Sequence, residues 1–233
     1  MSDKDILGVI KSYCISMKSK ENTWPKVLDT IHTNGFPSCE IFEGIVGSTY
    51  SNKDVSNILS VWQEYIVTKS KVRHNHGHFS TWGGLGCYLS HAAIWKDAVL
   101  KGYDKIAVFE DDLYFAPDFK ERIALIEPNV PSDCQLLLLG AITLNSKDIY
   151  KGVNTISKIN NFWCTHSYII DNSCMRVLLS RLFPVELQID SYMSCMIRLY
   201  NLKAYNISTV TGQRNPVSSI QTDCVNCPSL FNK

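Results

Sequence analysis

The sequence predicts an α/β protein built on an open, mostly parallel sheet flanked by helices. Three observations carry that expectation. Short continuous apolar runs, such as Ile106-Ala107-Val108-Phe109 and Leu136-Leu137-Leu138-Leu139, read as strands buried on both faces. Longer segments between them carry apolar residues at helical spacing, and strands alternating with helices build parallel sheets. The 233 residues suffice for one large core, and no internal repeat, low-complexity stretch or linker divides them.

The elements follow in order. Residues 7–15 are mixed apolar and predict the first strand. Trp24-Pro25, followed by Val27, Leu28 and Ile31, predicts a helix with proline near its start. Residues 39–46 predict a second strand closed by Gly47. Residues 55–66 place Ile58, Leu59, Trp62, Tyr65 and Ile66 at helical spacing. Residues 86–101 predict a helix with Cys87, His91, Ile94, Trp95 and Ala98 on one face and Gly102 past its end. The strand at 106–109 comes next. Asp118-Phe119-Lys120-Glu121 has the capping-box pattern and opens a helix that Pro128 follows. Strands are expected at 136–139, 154–157 and 164–170, and helices at 173–182 and 190–200. Thr211-Gly212 and Pro216 mark residues 211–233 as a loop-like tail.

The strand at 106–109 runs directly into Glu110-Asp111-Asp112. Side chains alternate along a strand, so Glu110 and Asp112 share one direction and Asp111 takes the other. Ligands bind at the carboxyl edge of open α/β sheets. Two hard oxygen donors there suit Mn²⁺ or Mg²⁺ and leave coordination positions for substrate phosphates. The plainer reading is a solvated acidic turn.

Composition narrows the function. Apolar content of 45% and charged content of 19% are those of an ordinary globular protein. A net charge of +1 gives no support to general nucleic-acid or membrane-surface binding. No apolar run has the length to span a bilayer. The start, Met1-Ser2-Asp3-Lys4-Asp5, lacks the basic and apolar regions of a signal peptide. The nine scattered cysteines are therefore expected as reduced thiols in a cytoplasmic protein.

Seven motifs stand in one order: Tyr13-Cys14-Ile15-Ser16-Met17 with Trp24 behind it, Ile41-Phe42-Glu43-Gly44-Ile45-Val46-Gly47, Gly86-Cys87-Tyr88-Leu89-Ser90-His91 with Trp95, Val108-Phe109-Glu110-Asp111-Asp112, Thr165-His166-Ser167-Tyr168-Ile169-Ile170, Gln188-Ile189-Asp190, and Gly212-Gln213 with Ser219-Ile220-Gln221 beyond. This order resembles glycosyltransferase family twenty-five, the lipooligosaccharide and collagen galactosyltransferase-like enzymes. The resemblance spans nearly the whole chain. The Gly-Cys-x-x-Ser-His-x-x-x-Trp block followed by a Glu-Asp-Asp strand end is its specific part.

The resemblance implies a single GT-A domain over 1–233, a nucleotide-sugar donor such as a UDP-sugar, a divalent ion such as Mn²⁺ or Mg²⁺, inversion at the anomeric carbon and a carbohydrate or glycoprotein acceptor. The acidic strand end takes the place of the Asp-x-Asp motif, with Asp112 as the principal metal ligand and Glu110 beside it. Glu110 or Asp111 would hold the ribose or a metal-bound water. His166 is the candidate third ligand. Ser16, Ser90, His91 and Gln213 are candidate donor contacts, although His91 also fits as a satisfied core histidine. An inverting transfer needs a base for the acceptor hydroxyl, and a positioned carboxylate commonly serves. Asp190 is that candidate, with Glu186 in reserve; the alternative for Asp190 is a helix N-cap.

Two departures matter. The family's arginine-containing run after the first strand is Ser16-Met17-Lys18-Ser19-Lys20 here, and lysine offers a point charge rather than a bidentate fork. The family's Glu two residues before Gly-Cys is Gly84 here. The histidines at 74, 76 and 78 read more readily as a basic loop than as a metal site, and Cys224-Val225-Asn226-Cys227 is a single pair with little weight for zinc. Two rival functions remain: an inactive nucleotide-sugar-binding protein, and a sugar nucleotidyltransferase. The absence of glycine between Ser16 and Glu21 weighs against the second.

Overall fold

A computed structural model of the chain describes residues 6–73, 75, 77–143, 146–151, 155–208 and 210–213. The strands are β1 (Lys11–Ser16), β2 (Cys39–Glu43), β3 (Lys105–Glu110), β4 (Leu113–Phe115), β5 (Leu136–Leu138), β6 (Ile142–Thr143), β7 (Lys147–Lys151), β8 (Thr155–Lys158), β9 (Phe162–Trp163), β10 (Ser167–Asp171), β11 (Ala204–Ile207) and β12 (Thr211–Gln213). The helices are α1 (Trp24–Thr33), α2 (Val61–Tyr65), α3 (Trp82–Leu100), α4 (Phe119–Ile126), α5 (Asn172–Leu179) and α6 (Ile189–Tyr200).

Eight strands form one sheet in the order β2-β1-β3-β10-β5-β11-β8-β7. Taking β1 as reference, β2, β3, β5, β11 and β7 run with it, and β10 and β8 run against it. The sheet is thus open and mostly parallel, as the alternation of strands and helices predicts.

Alternation along each strand divides the core into two layers. Tyr13, Val108, Tyr168 and Leu138 face α3, α5 and α6. Cys14, Phe109, Ile169 and Leu137 face the layer holding α1 and α4. Val108, Ile94 and Ile170 are fully buried, and each such side chain contributes roughly 1.5–3 kcal/mol of transfer free energy.

The glycine-rich block has a packing reason. A Cβ at Gly86 would lie 2.3 Å from the Ile45 carbonyl oxygen, and one at Gly47 would lie 1.7 Å from that of Trp82. Only glycines let the start of α3 rest backbone-to-backbone on the loop after β2. Gly84 has a similar cause: its Cβ would sit 2.4 Å from that of Phe79, a buried side chain that excludes a larger residue there.

Several expectations are corrected. Residues 6–8 form a 3-10 turn distorted by positive φ at Leu7, Gly8 also has positive φ, and the first strand starts only at Lys11. The helix expected over 55–66 is α only from Val61 to Tyr65 and continues as a π-helical turn over Ile66–Ser70. Its front half is instead pinned by a bridge between Leu59 and Val185. Asp118 makes no capping hydrogen bond; its carboxylate pairs with Arg122 at 2.6 Å. Residues 211–213, expected as loop, form β12, which pairs antiparallel with β4 and sets Gln213 opposite Leu113. Residues 214–233, including Pro216 and Ser219-Ile220-Gln221, lie outside the described residues.

Candidate functional site

Three chain segments meet where β1 and β3 end and β10 begins. The Asp111 amide donates to the Ile15 carbonyl at 3.1 Å, and the Glu110 amide donates to the His166 carbonyl at 2.9 Å. These two bonds fix Ser16, the acidic triplet and residues 165–166 side by side. The N-terminal turn of α6 joins them through Asp190.

Asp111 turns toward the β1 loop. It accepts from Ser16 Oγ at 2.6 Å and from Lys20 Nζ at 2.8 Å, while Ser16 Oγ itself accepts from Trp24 Nε1 at 2.8 Å. Lys20 therefore supplies, as a point charge, the cation that the run after β1 would otherwise offer as arginine.

Glu110 turns the other way, toward α3. Its Oε1 accepts from Thr165 Oγ1 at 2.8 Å and lies 3.5 Å from His91 Nε2. His91 is fully buried, and its Nδ1 is 2.9 Å from the Tyr168 hydroxyl, which also accepts from Trp95 Nε1 at 2.9 Å. With Trp95 donating to the phenol oxygen, the buried Tyr168 proton has Nδ1 as its acceptor. That network assigns the ring proton to Nε2, aimed at Glu110. Burial by itself would raise the Glu110 carboxyl, but His91 and then Thr165 reverse this and hold it below its ordinary value.

Asp112 lacks such support. One of its oxygens, Oδ1, is buried with no hydrogen-bond partner among the described residues. Burial, then the charges of Glu110 and Asp111, push its carboxyl up to about 6. His166 presents a similar opening. Thr211 Oγ1 donates its proton to the Leu139 carbonyl, so it accepts from Ser167 Oγ at 2.5 Å and from His166 Nε2 at 3.2 Å. The ring proton of His166 is then on Nε2, and Nδ1 is a bare lone pair, buried with no hydrogen-bond partner among the described residues. Burial lowers the His166 pKa and so favours this neutral form.

Asp190 is the second residue of α6, whose N-cap is Gln188, so the capping alternative does not describe it. It is buried, and its oxygens accept from the Cys164 amide at 3.2 Å and the Ser191 amide at 2.6 Å. Burial pushes its carboxyl up to about 6 against the effect of those bonds. Cys164 reaches it from a left-handed backbone, φ 78°, an uncommon conformation for a side-chain-bearing residue. Ser90 is not part of this cluster: its hydroxyl donates to the Gly86 carbonyl at 2.7 Å and accepts from the Ile45 amide at 2.8 Å, tying α3 to the β2 loop. Gln213 approaches the acidic end through the β12–β4 ladder.

Sequence reasoning singled out neither Thr165 nor Tyr168. Both lie in the motif around His166, but their partners Glu110 and His91 are 55 and 77 positions away, so no local signal marked them. His74, His76, Cys224 and Cys227 lie outside the described residues. The seven described cysteines are free thiols. No helix among the described residues is long and apolar enough to cross a membrane.

The three-carboxylate strand end, with Lys20 and two histidines beside it, lies at the carboxyl edge of an open α/β sheet, the edge at which such folds bind ligands. The chain belongs to glycosyltransferase family 25 (LPS biosynthesis protein), whose profile matches residues 9–193. It is 29% identical over 212 residues to procollagen galactosyltransferase 1 of Danio rerio, covering 86% of this chain and 33% of that protein. Over 120 residues it is 29% identical to the probable inactive glycosyltransferase 25 family member 3 of Bos taurus, covering 47% of this chain and 20% of that protein. The chain thus spans about a fifth to a third of the length of these relatives. Among solved structures, it is similar to a glycosyltransferase involved in the glycosylation of the major capsid of PBCV-1, with 10% identity, a TM-score of 0.42, and coverage of 86% of this chain and 81% of that one.

Proposed function

We propose that this chain is an inverting glycosyltransferase that moves a sugar from a UDP-sugar to a carbohydrate or glycoprotein acceptor, with Mn²⁺ or Mg²⁺ as cofactor. The observation that carries the reading is the pair of unmatched donors at the acidic edge. Asp112 Oδ1 and His166 Nδ1 are buried lone pairs with no partner among the described residues, beside the ionised Glu110. Two carboxylates and one imidazole are a donor set that fits Mn²⁺. Asp112, Glu110 and His166 would hold the cation after drawing together, since the three-residue group whose ligand atoms already lie within 4.8 Å of one another among the described residues is Cys87, His91 and Glu110. Bound there, it would neutralise charge building on the diphosphate leaving group.

The protein's own residues do the remaining work. Lys20 and Ser16 fix Asp111 and with it the loop over the donor side of β1. Asp190 accepts the proton of the acceptor hydroxyl while that oxygen bonds to the anomeric carbon and the bond to the diphosphate breaks. A carboxyl raised toward about 6 is still ionised at neutral pH and is a better base than an ordinary aspartate. The Cys164 and Ser191 amides hold it in place for the transfer.

Calorimetry of UDP-sugars with Mn²⁺ or with a chelator tests the donor half. Tighter binding with Mn²⁺ is expected, and equal affinity in both would remove the metal from the proposal. A transfer assay tests the other half. Donor binding with neither transfer nor donor hydrolysis would favour the inactive binding protein. Turnover of a nucleoside triphosphate with a sugar phosphate would favour the nucleotidyltransferase.

A further inference from the structure

The Gly-Cys-x-x-Ser-His block puts Cys87 and His91 one turn apart on the side of α3 that meets Glu110. Cys87 Sγ, His91 Nε2 and a Glu110 carboxylate oxygen all lie within 4.8 Å of one another. His91 is 0% exposed, and Nε2 has no hydrogen-bond partner among the described residues. The 3.5 Å between Nε2 and Oε1 is long for a hydrogen bond. It is close to the ~3.4 Å between two ligands of a tetrahedral zinc ion with bonds of ~2.0–2.2 Å. Thiolate, imidazole and carboxylate together select zinc over Mn²⁺ or Mg²⁺.

We propose that Cys87, His91 and Glu110 form a separate soft-metal site that binds Zn²⁺ and, when filled, withdraws Glu110 from the donor site. The zinc site stands on this geometry alone; the competition with donor rests on the transferase reading. On binding, the Cys87 proton leaves to solvent, and the His91 ring proton moves from Nε2 to Nδ1, where the Tyr168 oxygen accepts it. The Tyr168 proton then loses its present acceptor. That rearrangement disfavours weakly bound hard ions and leaves the site to an ion that binds thiolate strongly. Water would complete the fourth position.

The test uses the full chain carrying Cys224→Ser and Cys227→Ser, so that the other cysteine pair cannot contribute. Co²⁺ replaces Zn²⁺ as a spectroscopic probe. The expected result is one equivalent with a thiolate-to-cobalt charge-transfer band, displaced by Zn²⁺. Adding Cys87→Ser should abolish the band and weaken Zn²⁺ by more than the roughly 10–100-fold that loss of an outer-shell partner gives. Cys87→Ala, with its thermal melt, separates loss of a ligand from loss of the fold. No thiolate band in the parent, or a band that survives in both Cys87 variants, overturns the site. One equivalent of Zn²⁺ should also weaken UDP-sugar binding in Mn²⁺ in the parent and not in Cys87→Ser. Equal weakening in both overturns the competition. A chain that binds no UDP-sugar under any condition removes the transferase reading, while the cobalt spectrum still decides the zinc site.

Discussion

Glu110 and Asp112 stand two residues apart at one strand end, yet their carboxyls move in opposite directions. Glu110 is held low by His91 and Thr165 despite its burial, whereas burial and two neighbouring acids push Asp112 up to about 6. The difference lies in their partners. Thr165 donates a hydrogen bond to Glu110 and the His91 ring lies 3.5 Å from it, while Asp112 keeps a buried oxygen with no hydrogen-bond partner among the described residues. A site that binds a cation gains most where the protein has left charge unmatched. Asp190 is raised to about 6 by burial despite its bonds to the Cys164 and Ser191 amides, and so shares with Asp112 a carboxyl pushed up by burial.

The largest expected effect is at Asp190. Asp190→Asn should cut transfer by roughly two to four orders of magnitude with little change in donor affinity. Initial rates with UDP-sugar titrations decide it. Collapse of donor affinity would instead make Asp190 a donor-side group like Asp112, and unchanged kinetics would leave it a structural residue.

The same substitution has a stability signature of known sign. The folded carboxyl lies at about 6 against 3.8 for an ordinary aspartate. Its contribution to stability is therefore complete below about pH 4 and is lost as pH rises through about 6. Two units correspond to about 3 kcal/mol of differential stability, as an order of magnitude. Metal-free Asp190→Asn should accordingly gain on the parent between pH 4 and 7 in thermal melts. A constant difference across that range would mean that the Asp190 charge is not strained by burial.

Asp112→Asn sharpens the comparison with Glu110 from the other side. It should weaken Mn²⁺-dependent donor binding while leaving the fold intact, because Oδ1 has no hydrogen-bond partner among the described residues and burial already disfavours the charge. Thr165→Val should do the reverse. It removes a donor to a buried carboxylate, which costs about 1–3 kcal/mol, and frees Glu110 to titrate higher. Chemical denaturation and donor calorimetry on the two variants measure both effects. If Thr165→Val left stability and donor binding both unchanged, the protein donors would not be what separates the two acids.

The parts of this arrangement legible in the sequence are those set by local pattern. β3 and β5 are continuous apolar runs and α1 and α3 place apolar residues at helical spacing, so each was readable; β1 read only as a mixed apolar stretch, and α4 was marked by a capping pattern whose Asp118 makes no cap bond. The triplet at 110–112 was readable because acids rarely follow such a strand. β11 was not, since Ala204-Tyr205-Asn206-Ile207 interrupts an apolar run with a polar residue. Asn206 is tolerated there because its Oδ1 accepts from the Ala141 amide at 3.1 Å. The short ladders β4–β12 and β6–β9 depend on partners distant in sequence. The roles around the site have the same origin. Nothing local ties Tyr168 to His91 77 positions away, or Lys20 to Asp111 91 positions away. Ser90 and His91 are neighbours in one motif, yet helical geometry turns one to the β2 loop and the other to Glu110.

The smallest expected effect on donor binding is at Ser16. Its hydroxyl donates to Asp111 and accepts from Trp24, so it links the middle acid of the triplet to the start of α1. Ser16→Ala removes both bonds, but Asp111 keeps Lys20, an exposed lysine whose pairing contributes little by itself. The hydrogen bond to a charged group is the larger loss, and a stability decrease of about 1.5–3 kcal/mol is expected. Donor affinity should fall only modestly, since neither Glu110 nor Asp112 loses a partner. Ser16→Thr, which keeps the hydroxyl, should recover most of the stability if the added methyl fits beside Trp24. A drop in Mn²⁺-dependent donor binding as large as that of Asp112→Asn would break the division between satisfied and unsatisfied acids. It would show that Asp111, although paired within the protein, is itself in the donor site.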